Sequence, residues 1–194
     1  MTRVVLRLAL LALLFTPRAA TAQDPRQSAP GQFDFYVLSL SWSPSFCAGA
    51  AERGARNANV QCGPRPFSFV VHGLWPMPAP RLIFNEWDPH GTCSGQSPRA
   101  YFETVRKARA VVKIPPEFTD LKEPLSVTPQ AVEEAFIKAN PGLSASAMAV
   151  GCDAKRLTEV RLCLSKELRF RDCAEIAKCG CRREELTMPP MRGG

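Results

Sequence analysis

Histidine is scarce in this sequence, which has only His72 and His90 among its 194 residues. This scarcity excludes a zinc site built on three histidines. No period recurs along the chain, so a repeat architecture is not expected. The longest apolar run, residues 8–15, is too short to cross a hydrocarbon core of about 30 Å, and no later segment is longer and equally apolar. A membrane-spanning helix is therefore not predicted.

A strong excess of positive charge is also absent from most of the chain. The formal net charge is +7, but three of the 25 basic residues lie in residues 1–22, which contain no acid. The remaining residues carry 22 basic and 18 acidic side chains, a net charge of +4. Such a small excess is weak evidence for a polyanionic partner. With 45% hydrophobic and 22% charged residues, the composition is that of one globular domain.

The N-terminus has the pattern of an export signal. Arg3 and Arg7 precede the apolar run, and Ala20 and Ala22 fit the small-residue pattern of a cleavage site. We predict that residues 1–22 are a signal peptide removed after Ala22; the alternative is an uncleaved anchor or a buried helix. The protein is then expected to be exported, to the periplasm or outside the cell, and to have no membrane attachment after cleavage.

The rest of the chain is predicted to form a single domain. Residues 23–32 are polar and contain two prolines and a glycine, which is typical of a flexible leader. No linker divides residues 33–194. Strands, then helices, then strands again predict an α+β fold with a mostly antiparallel central sheet flanked by helices.

Local patterns place the elements of this domain. Strands are predicted at 33–42, 67–71, 147–152 and 159–165, and a loop at 47–66. Helices are predicted at 98–112 and 129–140, because Ser97 and Thr128 are suitable N-caps, each followed by proline. The inward positions expected on the first helix are Tyr101, Phe102, Val105 and Ala108. The apolar face expected on the last strand comprises Val160, Leu162 and Leu164.

Eight cysteines lie beyond the signal peptide. In an oxidising compartment an even number of cysteines indicates a disulfide framework. The rival interpretation is a metal cluster, but Cys179 and Cys181 lack the C-x-x-C spacing of zinc knuckles and have no nearby histidine. No metal site is therefore predicted. The disulfide candidates are Cys47, Cys62, Cys93, Cys152, Cys163, Cys173, Cys179 and Cys181.

Both histidines are followed by glycine. His72 lies in FVVHGLWP, residues 69–76, and is predicted to stand at the end of a buried strand. His90 lies in NEWDPHGTC, residues 85–93, four positions after Glu86. In a helical turn Glu86 and His90 would lie on one face, within reach of each other.

Two imidazoles are sufficient to cleave RNA without a metal or another cofactor. The ribose 2′-hydroxyl is an internal nucleophile, so one neutral imidazole can remove its proton while an imidazolium protonates the leaving 5′-oxygen. An aromatic ring such as Trp75 can stack on a base, which contributes about 1–3 kcal/mol. Single-stranded RNA is accordingly the expected substrate, and DNA, which lacks the nucleophile, is not.

The two histidine segments resemble the two active-site segments of the RNase T2 family. The surrounding segments are similar to the bacterial secreted or periplasmic branch of that family: FYVLSLSWSP at 35–44, CSG at 93–95, YF at 101–102 and MPP at 188–190. The resemblance implies a disulfide-stapled α+β fold and an endoribonuclease that forms 2′,3′-cyclic phosphates. We expect the protein to be a monomer. It implies that His72 is the general acid, His90 the general base and Glu86 its acidic partner, with Trp75 stacking on a base.

The resemblance also implies a disulfide pattern. By family position, the pairs are Cys47 with Cys62, Cys163 with Cys173, and Cys152 with Cys181. Cys93 and Cys179 are then left over and either pair or remain free. An alternative joins Cys62 to Cys93 and leaves Cys47 unexplained.

The second segment departs from the family pattern. Asn85 stands where relatives have histidine and Pro89 where they have lysine, and only eighteen positions separate His72 from His90. By analogy with lost oxyanion donors, losing a cation near the reacting phosphate costs on the order of 10²–10³ in rate. Two alternatives to a slow enzyme therefore stay open: an impaired relative that binds RNA or another partner, and a secreted interaction module without a nucleic-acid role.

Overall fold

A four-stranded antiparallel sheet organises the computed structural model, which describes residues 30–55, 61–77 and 94–191. Its strands are β1 (Phe35–Trp42), β2 (Phe69–Met77), β4 (Met148–Cys152) and β5 (Leu157–Leu164). Their order in the sheet is β2-β1-β5-β4, with every neighbouring pair antiparallel. A separate two-stranded sheet pairs β3 (Leu125–Val127) with β6 (Leu186–Met188). The predicted α+β fold with a mostly antiparallel sheet is confirmed.

Four helices accompany the sheets in this part of the chain: α1 (Ser43–Glu52), α2 (Pro98–Val111), α3 (Pro129–Ala139) and α4 (Ala174–Ala177). Two short 3-10 turns lie at Pro116–Phe118 and Ala145–Ala147. The predicted N-caps are confirmed, because the hydroxyls of Ser97 and Thr128 accept hydrogen bonds from the backbone N–H groups of Ala100 and Ala131. None of these helices is long and apolar enough to cross a membrane.

Several predicted features lie outside the described residues. They are the signal peptide with its cleavage site, most of the 23–32 leader, and the segment that carries Asn85, Glu86, Pro89, His90 and Cys93. The boundaries proposed for the signal peptide, the leader and the domain therefore stay predictions.

The larger core lies on one face of the four-stranded sheet. Because side chains alternate along a strand, Tyr36, Leu38, Leu40 and Trp42 of β1 all point to this face and are buried there. The apolar face predicted for the strand at 159–165, which is β5 in the structure, is confirmed, since Val160, Leu162 and Leu164 join the same cluster. The aromatic residues Phe69, Phe118 and Phe136 pack edge to face or stacked within it.

The opposite face of the sheet is divided into two halves. One half is apolar, where Phe35 and Val37 pack against Cys163, Cys173 and Ile176. The other half begins at the next outward position of β1, Ser39, and carries polar and charged side chains from three neighbouring strands. On this face, successive outward positions of β1 and β5 therefore change from apolar to polar over two residues of each strand.

Three disulfides link described cysteines: Cys47–Cys62, Cys152–Cys181 and Cys163–Cys173. These are the three pairs that the family resemblance implied. The alternative that joins Cys62 to Cys93 is wrong, because Cys62 is bonded to Cys47. Cys179 is exposed and is bonded to none of the described cysteines.

Three local predictions are corrected. The loop predicted at 47–66 is wrong over its first six residues, which belong to α1. The helix forms because Pro44 occupies a favourable first-turn position and alanines follow it. His72 lies within β2 and not at a strand end, because β2 is an edge strand and so tolerates Pro76. Phe102 is 58% exposed, since the inward stripe of α2 passes through Tyr101, Val105 and Ala108 and leaves Phe102 to one side.

Asn140 provides a test of how α3 is tied to the chain that follows α2. The side chain is buried, accepts from the Lys113 N–H (2.7 Å), and donates to the carbonyls of Lys113 (2.9 Å) and Phe136 (2.8 Å). We expect Asn140→Ala to lower the free energy of unfolding by about 2–3 kcal/mol, because all three partners lose their bonds. Urea titration measures the change. Gln130→Ala on the exposed face of α3 is the control, with an expected change within about 0.5 kcal/mol.

Candidate active site

His72 is the extra residue of a β-bulge in β2. Gly73 pairs with Ser39 of β1 and Val71 pairs with Leu40, so His72 has no partner of its own on β1. A bulge bends the strand and re-aims the side chain at that point. The imidazole accordingly stands over the polar half of the sheet face, with its side chain 48% exposed.

A carboxylate two strands away contacts this imidazole. Glu159 of β5 pairs with Ser41 of β1, and its Oε2 lies 3.4 Å from His72 Nδ1. The buried hydroxyl of Ser39 donates to the same oxygen at 2.6 Å. Ser39 and Glu159 thus form a continuous polar link across β1 from the centre of the sheet to its edge strand.

The second oxygen of Glu159 is held by an arginine on the same strand. Arg161 Nε donates to Oε1 at 2.9 Å, and Arg161 Nη2 donates to the same oxygen. Gly151 of β4 lies directly opposite Glu159, and a Cβ at that glycine would come within 2.8 Å of Glu159 Cγ. The absence of a side chain at Gly151 therefore leaves the space that Glu159 occupies.

Glu159 is ionised although its side chain is only 12% exposed. Burial by itself raises the pKa of this carboxyl, but the hydrogen bonds with His72 and Ser39 and the charge of Arg161 outweigh burial and lower the pKa to about 2. The carboxylate is consequently charged throughout the pH range in which imidazoles titrate.

Trp75 lies beside His72 on the same strand. The two ring centroids are 5.7 Å apart and the planes are close to perpendicular. The indole crosses Gly73, because a Cβ at that glycine would lie 2.5 Å from the indole nitrogen. The Arg161 guanidinium carbon stands 5.9 Å from the centre of the indole ring. Imidazole, indole and guanidinium therefore form one partly exposed group.

Helix α2 supports the strand behind this group. The Tyr101 hydroxyl donates to the backbone carbonyl of Leu74 at 2.8 Å. Burial raises the pKa of Tyr101, so the phenol stays protonated and can keep this donor role. The bond attaches α2 to β2 at Leu74, between the positions of His72 and Trp75.

The structure brings together two of the four predicted functional residues, His72 and Trp75. Glu86 and His90 lie outside the described residues, so their contacts stay predictions. Within the described ranges, no three histidine, cysteine, aspartate or glutamate side chains form a group that could hold a metal ion.

Sequence reasoning missed Ser39, Glu159 and Arg161. A signal was available for two of them: once Val160 and Leu162 are assigned to the core, Glu159 and Arg161 must share the other face of a central strand. Two charges there need partners. The alternation pattern does not say which strands lie beside β5, and so it could not identify His72 as one of those partners.

The His72 imidazole is placed so that it can exchange a proton with a molecule bound at the site. The Nδ1 edge of the imidazole faces an ionised carboxylate, and the rest of the ring is accessible to solvent. The indole of Trp75, which also packs against the apolar half of this sheet face, and the guanidinium of Arg161 lie next to it. These groups fit a substrate that combines a planar base with a phosphate.

Comparison with known proteins gives a consistent set of relatives. The chain is 30% identical over 194 residues to a protein named "Ribonuclease" from Aeromonas hydrophila, with 81% of this chain and 83% of the relative covered. It is 29% identical over 127 residues to a "Probable ribonuclease" from Haemophilus influenzae, covering 46% of this chain and 47% of that one. No protein-family model matches the chain.

Solved structures show the same fold. An RNase-related protein from Calystegia sepium superimposes with a TM-score of 0.59 at 18% identity, covering 81% of this chain and 98% of its own. RNase NT in complex with 5′-AMP superimposes with a TM-score of 0.51 at 19% identity, covering 82% and 100% respectively. At these identities the likeness concerns the fold.

The low pKa of Glu159 gives a stability prediction. A depressed pKa stabilises the folded chain above the ordinary carboxyl value of 4.5, and this stabilisation is lost as pH falls toward about 2. We expect Glu159→Gln to destabilise the protein near neutral pH. The difference from the unsubstituted chain should narrow by roughly 2 kcal/mol between about pH 6 and pH 3. Urea unfolding at several pH values measures the difference in the free energy of unfolding between the two chains. A difference that does not change with pH would contradict a low pKa of Glu159.

Proposed function

Because the chain belongs to the RNase T2 family of ribonucleases, we propose that it is an endoribonuclease that cleaves single-stranded RNA by transesterification, with no metal in the reaction. The observation that carries the proposal is the placement of His72: a solvent-accessible imidazole at a bulge, backed by a carboxylate and flanked by an indole. The relatives' names support the substrate class.

The proposed reaction moves two protons and exchanges one bond to phosphorus. His90 takes the proton of the ribose 2′-hydroxyl, and the 2′-oxygen attacks the adjacent phosphorus. The bond from phosphorus to the 5′-oxygen breaks, and protonated His72 gives its proton to that leaving oxygen. The products are a 2′,3′-cyclic phosphate and a free 5′-hydroxyl, so the reaction is formally that of a transferase or lyase. Proton exchange with water restores both imidazoles.

The roles of the individual residues come from family position. His72 as acid, His90 as base, Glu86 as acidic partner and Trp75 as stacking surface are proposals by this argument. The neighbourhood of His72 supports its part, because an ionised carboxylate at Nδ1 stabilises the ring in the orientation that leaves Nε2 for the substrate. The position of Trp75 supports stacking of a base next to the phosphate.

Export is part of the same proposal. Three disulfides are typical of a protein that folds in an oxidising compartment. Together with the N-terminal pattern of residues 1–22, they support the periplasm or the extracellular medium as the destination. We propose that the protein acts there as a monomer on RNA, and not on DNA.

A second candidate function is favoured by the departures in the other histidine segment. Pro89 replaces a cation of the family pattern and has no backbone N–H to donate, and Asn85 replaces a histidine. A chain impaired in this way could still bind RNA or another partner over His72 and Trp75. The two functions differ in turnover: only the enzyme releases cyclic phosphate.

Incubation of the purified mature protein with a defined single-stranded RNA in EDTA tests the enzyme. We expect cyclic-phosphate ends, a bell-shaped pH–rate profile, and a loss of about 10²–10⁴ in kcat for His72→Ala or His90→Ala. DNA and 2′-O-methylated RNA are controls that must stay intact. Cleavage by both variants at the unsubstituted rate would contradict the roles of the histidines, and oligonucleotide binding without turnover would favour the second function.

Pro89→Lys tests whether the missing cation limits the rate. Restoring a positive donor near the reacting phosphate should raise kcat by up to about 10²-fold, because the transition state carries more negative charge than the substrate. Steady-state kinetics on the same RNA measure it, with Pro89→Ala as the control for removal of the proline ring. An equal gain in both variants would assign the effect to the backbone and not to the charge.

A further inference from the structure

We propose that Glu159 is a positioning residue for the reaction: it accepts the Nδ1–H of His72, fixes the ring in that tautomer and so presents Nε2 to the RNA. The inference rests on the proposed function, in which His72 transfers a proton. It concerns a residue that neither histidine segment contains.

The hydrogen-bond partners of Glu159 require this tautomer. Both carboxylate oxygens are acceptors, and an ionised carboxylate has no proton to offer. Oε1 is taken by Arg161, and Oε2 accepts from Ser39 and faces His72 Nδ1. A favourable contact with Oε2 therefore needs a proton on Nδ1. The 3.4 Å separation is long for such a bond, as is common before substrate tightens a site.

The acceptor is fixed more firmly than the imidazole that it orients. Glu159 lies on an inner strand, is largely buried and is held by Ser39 and Arg161. His72 lies at a bulge of an edge strand, where the backbone ladder gives it no partner residue. A rigid acceptor beside a less constrained ring is the arrangement in which a carboxylate sets ring orientation.

The carboxylate can act on both protonation states of His72. With its pKa lowered to about 2, Glu159 remains an acceptor at every pH where an imidazole changes charge. Other described groups beside this cluster include Arg161 from β5, Ser39 and Ser41 from β1, and Trp75 from β2. Arg161 and Ser39 both bind the carboxylate, and neither offers an acceptor that competes for Nδ1–H as strongly as an ionised oxygen.

Glu159→Gln converts one of the two acceptor oxygens into a donor with little change of shape. Because Arg161 supplies two N–H groups and has no acceptor, the amide oxygen of the variant should face Arg161. The amide NH₂ group then faces Ser39 and His72 and donates to Nδ1, which moves the imidazole proton to Nε2. The variant should therefore invert the tautomer of neutral His72.

Nitrogen-15 NMR of untagged protein measures the tautomer directly. In a His90→Ala background the chain has one imidazole, so the signals belong to His72. For the neutral ring, observed at the alkaline end of a pH series, we expect the Nδ1–H form when Glu159 is present and predominantly the Nε2–H form in the Glu159→Gln variant. A merely structural role of Glu159 would leave the tautomer unchanged.

Kinetics in the His90-containing chain give the second readout. Glu159→Gln should lower kcat by about 10- to 100-fold, and KM should change less than about threefold, because Trp75 and the other binding groups are kept. Glu159→Asp keeps the charge but retracts the oxygens by one methylene, and it should also lower kcat; it serves as well if the Gln variant does not fold. The matched control is Glu185→Gln, which removes a carboxylate that accepts from Ser126 at 2.6 Å on the other sheet.

Two results would overturn the inference: an Nδ1–H tautomer that persists in the Gln variant, or a kcat within about twofold of the unsubstituted chain for folded Gln and Asp variants. The NMR result does not depend on activity. If the unsubstituted chain cleaves no RNA but its tautomer inverts on Glu159→Gln substitution, the contact stands and the proposed function fails. If the chain cleaves RNA and the tautomer does not change, the function stands and the inference fails.

Discussion

The arrangement of the polar half of the sheet face depends on one constraint, the ionised carboxylate of Glu159 on an inner strand of the four-stranded sheet. Burying the charge of Glu159 is unfavourable unless donors surround it, and three strands contribute to that requirement through Ser39, His72 and Arg161. The pairing explains why one face of the sheet changes from apolar to polar at Ser39. It also explains why a glycine stands opposite Glu159, where any side chain would occupy its space.

The same sheet supplies both the rigidity and the adjustable part of the site. β5 is an inner strand, and its outward positions carry Glu159, Arg161 and then Cys163, which is tied by a disulfide to Cys173. β2 is an edge strand with a bulge, which turns the His72 ring toward β5. Acceptor and imidazole are therefore set by strand register rather than by a loop, which favours a constant geometry.

Local patterns predicted what local physics controls. Serine or threonine followed by proline located the starts of α2 and α3, and alternation located the core face of β5, because capping and pleating act within a few residues. The helix over Ser43–Glu52 was missed, since its N-cap is Trp42, which makes no side-chain capping bond. The contact between His72 and Glu159 was also missed. The contact joins residues 87 positions apart across the intervening strand β1. Alternation assigns a side chain to a face of the sheet but does not give the order of the strands.

The described groups separate two contributions to catalysis that the family pattern combines. Positioning of an imidazole is provided for, because Glu159 and its partners hold the Nδ1 edge. Stabilisation of negative charge on phosphorus is provided for only weakly, because the charge of Arg161 is largely balanced by the carboxylate that it binds. In the proposed mechanism, the proline at position 89, where the family pattern has a cation, would weaken this second contribution and would leave the first intact. A chain of this kind is expected to keep the acid–base route and to lose rate, which is the behaviour of a slow ribonuclease rather than of a binding protein.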